Sequence, residues 1–192
     1  MPYNRRAEEA LARWDSSAAR KHRDALLDLY ADVYSVAPYA DDPFFSLTAY
    51  GRRLDGAMAM PGFEIVASVV GQTVLGSCHG VTLDPAIPWW QEIVPSLSAD
   101  HAKAADSGSV FWLRELMVRQ PLRGRGLGHE LHDELCRLRT EEYVALTVIV
   151  DNEPAQSAYL QWGYRIVGTI RHAPTSPVYY AMIRNRIHNA AE

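Results

Sequence analysis

Hydrophobic residues change their spacing several times along the chain, and each change marks an element. Leu26, Leu29, Tyr30 and Val33 recur at helical spacing, which predicts one helix over 17–34. Leu47, Tyr50, Leu54 and Met58 predict a second over 46–59, with Ser46 as its cap and Pro61-Gly62 as its end. From residue 63 the period shortens. FEIVASVV (63–70), a Gly71-Gln72 turn and TVLGSCHGVTL (73–83) read as a β-hairpin. Three prolines interrupt residues 84–108, where only 96–106 suggests a helix; this stretch, with Trp89 and Trp90, is expected at the surface.

Beyond residue 110 the pattern is stronger. VFWLRELMV (110–118) is apolar on both parities apart from Arg114 and Glu115, as in a strand covered on both faces. A helix over 126–140, with Leu127, Leu131, Leu135 and Leu138 inward, leads to a second apolar strand, YVALTVIV (143–150). Strand, helix and strand of these lengths make a parallel, right-handed crossover. A short helix over 154–162 starts behind Asp151-Asn152 with Pro154 in its first turn, and strands at 164–171 and 178–184 complete the order. The expectation is an α/β (α+β) fold in one domain over 1–192: a mixed sheet with helices on both faces.

Composition narrows the function. The chain has 192 residues, is 48% hydrophobic and 22% charged, and carries a net charge of -4. A slightly acidic whole argues against a general nucleic-acid binder. No apolar run approaches the ~20 residues of a membrane span, and no apolar segment follows the basic N-terminal residues as a secretory signal would need. Cys78 and Cys136 match no metal or redox spacing, so they read as reduced thiols of a cytoplasmic protein without a metal.

Against that acidity, VRQPLRGRGLGHEL (118–131) gathers Arg119, Arg123 and Arg125 around Gly124, Gly126 and Gly128, just ahead of a helix. A helix N-terminus offers unpaired N–H groups and partial positive charge, and glycines let the loop before it curl its amides inward. That combination suits a diphosphate. The spacing is not that of a Rossmann turn, and no Gly-Lys-Ser/Thr is present for a P-loop. His129 and His132 do not fit the zincin pattern and read as a solvated helix face.

Val118, Pro121, Arg123, Gly124, Gly126, Leu127 and Gly128, placed after a buried strand, resemble the acyl-CoA signature of the GNAT (GCN5-related N-acetyltransferase) superfamily. Asn152, Ala155, Tyr159, Gly163 and Tyr164 resemble its second signature. The likeness is sharp over 110–168 and looser elsewhere. It implies a mostly antiparallel sheet whose central parallel strands splay, with a first strand near 8–15 or none at all.

The resemblance also implies a site. The main chain of Leu116, Met117 and Val118 would bind the pantetheine arm of acetyl-CoA, Arg123, Gly124, Arg125, Gly126, Leu127 and Gly128 its diphosphate, and Asn152 would reach the cofactor from the far side. Tyr159 would protonate the leaving thiolate, its alternative being an aromatic that packs helix on sheet. Glu115 would be the base, directly or through water, with Glu64 a weaker alternative and an arginine partner the plain reading of Glu115. The acceptor would lie among 30–60, 84–108 and 171–178, with Tyr34, Tyr39, Tyr50, Trp89, Trp90, Trp112, Asp41, Asp42, Asp84 and Glu92. Those walls suit a small amine, with a peptide or protein amine, or acyl-CoA binding without turnover, as the other readings; pairing as a homodimer is a further expectation.

Overall fold

The computed structural model describes residues 9–36, 39–40, 42–174 and 176–186. Its elements are β1 (Ala10–Trp14), α1 (Ser16–Lys21), α2 (Arg23–Tyr34), α3 (Leu47–Met58), β2 (Glu64–Val70), β3 (Thr73–Thr82), α4 (Pro88–Ile93), α5 (Ala99–Asp106), β4 (Val110–Val118), α6 (Leu127–Arg137), β5 (Tyr143–Ile149), α7 (Glu153–Gln161), β6 (Arg165–Ile170) and β7 (Tyr179–Asn185). The strands take the order β1-β2-β3-β4-β5-β7-β6 in one mixed sheet. β4 and β5 are parallel; β1/β2, β2/β3, β5/β7 and β6/β7 are antiparallel. The parallel pairing predicted for β4 and β5 and the mostly antiparallel sheet are both present. By packing, the chain divides into two compact units, one running to Gly80 and including Glu115–Leu135, the other comprising Val81–Arg114 and the chain from Cys136 onward.

In the first unit, β1 supplies the strand foreseen near 8–15 and pairs with β2 from Ala10↔Val69 to Trp14↔Ile65. The single helix expected over 17–34 is two helices. His22, at φ -105° and ψ 13°, breaks it, and its ring stacks on Trp14 at 4.2 Å. Tertiary stacking therefore overrides a helical pattern with no local stop signal. Leu26, Leu29, Tyr30 and Val33 are buried as their spacing demands, and Tyr30 stacks on Tyr50 of α3 at 3.8 Å. Ser46 caps α3 by accepting from the Ala49 N–H at 3.3 Å. Leu47, expected inward, is exposed because it occupies the first helical position, ahead of the buried Tyr50–Leu54–Met58 stripe.

In the second unit, the segment 84–108 folds into α4 and α5, and the expectation that it lies at the surface fails for its tryptophans. Trp89 is 3% exposed and Trp90 1%. Trp89 packs against Trp112 at 5.2 Å, which consumes the aromatic area that the sequence offered to an acceptor. The last helical turn predicted for 126–140 is missing. The Arg139 N–H closes on the Cys136 carbonyl at 3.2 Å, the Arg139 side chain pairs with Glu141, and Leu138 is left exposed.

Gly76 shows why β3 tolerates no side chain at one point. A Cβ there would lie 2.9 Å from the Met117 carbonyl oxygen and 3.0 Å from Leu131. Gly76→Ala is expected to cost about 1–3 kcal/mol by overpacking, read as a lowered urea midpoint at unchanged slope. An unaltered midpoint would mean that β3 can shift freely against β4 and α6.

Candidate active site

The site begins where β4 ends. The parallel ladder covers Val110↔Tyr143 to Leu113↔Leu146 and goes no further. The final residues of β4, among them Leu116, Met117 and Val118, thus run beyond their pairing with β5. β3 anchors the chain as it leaves β4: the Arg119 N–H donates to the Leu75 carbonyl at 3.0 Å, and Arg119 Nε donates to the Val74 carbonyl at 2.8 Å. A 3-10 turn over Gln120–Leu122 holds Pro121 and plants Leu122, 7% exposed, as an apolar foot.

Gly124 (φ +69°) and Gly126 (φ +87°) then take left-handed backbone, which L side chains rarely adopt. Nothing lies within 4 Å of a Cβ placed on either. Glycine is required here by conformation, and the space above it is open to a ligand. Gly128 differs. A Cβ there would make ordinary contacts with Val118 at 3.7 Å and Leu116 at 3.9 Å, so an alanine would fit.

Helix α6 starts behind this turn without a side-chain cap. Asp15, Ser46, Ser98 and Asn152 cap α1, α3, α5 and α7 with an oxygen. The residue before α6 is Gly126, which has none to offer. The first N–H groups of a helix find no carbonyl within it, so this N-terminus presents donors and partial positive charge to the turn. Arg125 is exposed beside it. Arg123 folds back, its Nε donating to the Val118 carbonyl at 3.1 Å and its Nη2 to the Val33 carbonyl at 3.4 Å. Its first task is therefore to hold the turn closed onto α2. Arg119 pairs with Asp28 and, at 3.6 Å, with Asp32, while Gln120 Nε2 donates to the Asp32 carbonyl at 3.1 Å. Three side chains of one turn grip one helix.

The far end of that helix carries Tyr34, whose Oη donates to Glu115 Oε1 at 2.7 Å. Burial, and then the Glu115 charge, hold the Tyr34 phenol well above its ordinary value. The same two causes raise Tyr50. Tyr39 is also raised by burial and Glu115, with Arg123 opposing. All three are neutral at physiological pH. The predicted base thus sits against a tyrosine 81 positions away, a link with no trace in the local sequence. Glu64 is engaged by Arg13 at 2.6 Å, a structural pairing on neighbouring strands.

Several other predicted residues hold local structure. Asn152 accepts from the Ala155 N–H at 3.2 Å as the α7 cap. Tyr159 is 9% exposed and meets Trp162 edge-on at 5.4 Å and Tyr164 at 5.6 Å. Asn152 and Tyr159 belong to the second unit, whereas Glu115 and the glycine turn belong to the first. Asp42 caps a turn through the Phe44 N–H at 2.8 Å, and Asp84 does so through the Ala86 N–H at 2.9 Å. Asp41 lies outside the described residues. His129 is half exposed, but His132, expected at a solvated face, is fully buried. The covered arc of α6 includes 132 and 136 as well as 127, 131 and 135. Cys78 and Cys136 are free, buried thiols. No helix among the described residues is long and apolar enough to cross a membrane.

The model of the acetyltransferase (GNAT) family matches residues 23–164. Among curated proteins none matches. Solved structures resemble this one over almost their full length. Aminoglycoside 6'-acetyltransferase type Ii shares 19% identity at a TM-score of 0.61, with 94% of this chain and 99% of that one covered. A GCN5-related N-acetyltransferase from Kribbella flavida shares 22% at 0.59, covering 92% and 98%. An acetyltransferase of the GNAT family from Streptococcus pneumoniae shares 14% at 0.59, covering 93% and 99%.

The raised phenols carry a pH prediction. A folded value above the unfolded one of about 10 contributes stability that is complete below about pH 10 and is lost as pH rises toward the folded value. Tyrosinate absorbance of the native protein should therefore lack the Tyr34 and Tyr50 amplitudes until alkaline unfolding releases them. Comparison with Tyr34→Phe assigns its share; a Tyr34 amplitude appearing near pH 10 in folded protein contradicts the burial.

Proposed function

The chain belongs to the GNAT acetyltransferase family, and we propose that it works as one acyltransferase domain that moves an acetyl group from acetyl-CoA to the primary amine of a small molecule by direct attack. The observation that carries this reading is the uncapped start of α6 behind left-handed Gly124 and Gly126, at the end of a strand that outruns its parallel partner. The open space over both glycines fits a diphosphate, with the amides from Gly124 to Gly128 as its donors and Arg123 and Arg125 supplying positive charge. The main chain of Leu116, Met117 and Val118 would bind the pantetheine arm as an added strand.

In the reaction, the amine lone pair attacks the thioester carbonyl carbon and the C–S bond breaks. Glu115, oriented by Tyr34, takes the proton that the nitrogen sheds. The Val118 N–H would donate to the oxyanion. Tyr159 would give a proton to the departing thiolate, and Asn152 would contact the cofactor while capping α7. An aminoglycoside acetyltransferase among the structural relatives has a small-molecule acceptor in its name, which supports such an acceptor on this fold.

Incubation with acetyl-CoA and a panel of amines should release free thiol, and calorimetry should register CoA. CoA binding without thiol release on any amine would make the protein a binding module, and absence of CoA binding would remove the proposal. Gly126→Trp is expected to abolish CoA binding, since an indole would fill the turn. Tyr159→Phe should lower kcat about tenfold or more with CoA affinity retained. An unchanged kcat would leave Tyr159 to its edge-on packing alone.

A further inference from the structure

Helix α7 ends in a paired backbone closure. The Gly163 N–H donates to the Leu160 carbonyl at 3.1 Å, and the Tyr164 N–H donates to the Tyr159 carbonyl at 3.0 Å. Gly163 takes left-handed backbone at φ +87°. This is the two-bond ending by which helices stop on glycine. It gives the spacing of Tyr159, Gly163 and Tyr164 a physical cause. The two tyrosines are the ends of the longer bond, and their rings meet edge-on at 5.6 Å, the side-chain contact that accompanies such an ending. The Trp162 carbonyl lies beyond the reach of that closure. It accepts from Arg184 Nη1 of β7 at 2.8 Å, and the Arg184 guanidinium also lies 5.1 Å from the Tyr164 ring centroid.

Arg184 is 4% exposed. It stands opposite Val144 on the strand that β5 and β6 flank. A buried charge is costly unless something compensates it. Here a carbonyl at the negative end of α7 and a ring face do so, and among the described residues no carboxylate pairs with it. The guanidinium is thus committed to the end of α7. We infer that Arg184 is a positioning residue for Tyr159: it fixes the carbonyl and the ring that border the phenol, and so fixes the phenol's direction. The inference rests on the reading of Tyr159 as the acid for the thiolate and adds the residue that aims it. Proton transfer needs a short, aligned path, so loosening this turn costs rate rather than binding. An arginine that only stabilised the fold would leave kcat intact.

The test is a double-mutant cycle on the full chain, with acetyl-CoA and the amine that releases most thiol. Arg184→Met should lower kcat about tenfold, with the amine KM and the CoA Kd changed less than about twofold. On the Tyr159→Phe background the same change should lower kcat no further, since phenylalanine has no proton to aim. Arg184→Lys keeps the charge and one donor to the carbonyl, and should recover part of the loss. An unaltered kcat in Arg184→Met, or an equal loss on the Tyr159→Phe background, overturns the inference. Should Arg184→Met not fold, Arg184→Lys takes its place in the cycle with an expected loss of about threefold. Hydrogen exchange reads the turn without activity: the Tyr164 amide should exchange about tenfold faster in the variant while the β5 amides do not. Equal protection at Tyr164 sinks the inference. Full kcat in Tyr159→Phe, or no thiol release at all, fails the acid reading instead, and the exchange then decides alone whether Arg184 holds the turn.

Discussion

An α-helix cannot satisfy its own first N–H groups, and the chain answers that constraint in two ways. Four helices receive a side-chain oxygen at their start, whereas α2 and α4 start behind His22 and Ile87 without one. Helix α6 receives glycine. Its first turn therefore joins N–H groups that Gly126 cannot cap, and partial positive charge, to a left-handed glycine turn. Much of the surrounding construction serves to keep that turn in place. Leu122 is sunk in the core, Arg123 straps the turn to the Val118 and Val33 carbonyls, and β3 gives up a side chain at Gly76 so that β4 and α6 can close on it.

That arrangement also divides the labour of the arginines. Net charge suggested that Arg119, Arg123 and Arg125 were gathered for an anion. Arg119 and Arg123 are instead cross-links to α2 and to backbone carbonyls, and Arg125, like Arg123, is exposed. The positive field at the turn persists, since the cross-linking arginines keep their charge, but their geometry is set by the protein rather than by a ligand.

How much of this was legible in the sequence depended on the range of the interaction concerned. Strand β4 matched its predicted limits, and the ladder from Val110 came from an apolar run that needed no tertiary knowledge. The glycine turn was legible for the same reason: φ sign and helix start are local properties. Long-range contacts were not. The stacking of His22 on Trp14 split a helix that looked continuous. Burial of Trp89 and Trp90 reversed a surface assignment, because prolines signal irregular backbone without saying whether it is covered. His132 was misplaced because an apolar stripe of leucines understates the width of a buried arc. The Tyr34–Glu115 bond joins residues from opposite halves of the chain, and no periodicity encodes it.

Helix α2 has a divided loyalty. One side of it is gripped by Arg119, Gln120 and Arg123, and its last residue, Tyr34, orients Glu115. A change within α2 would disturb the glycine turn and the Glu115 carboxylate together. The short segment after it carries Tyr39 and Phe45, which meet Tyr34 through ring faces and edges. Such contacts tolerate exchange of one apolar side chain for another far better than a directed hydrogen bond does. Exchanges in that segment should therefore cost the fold less than exchanges at the gripped positions of the helix.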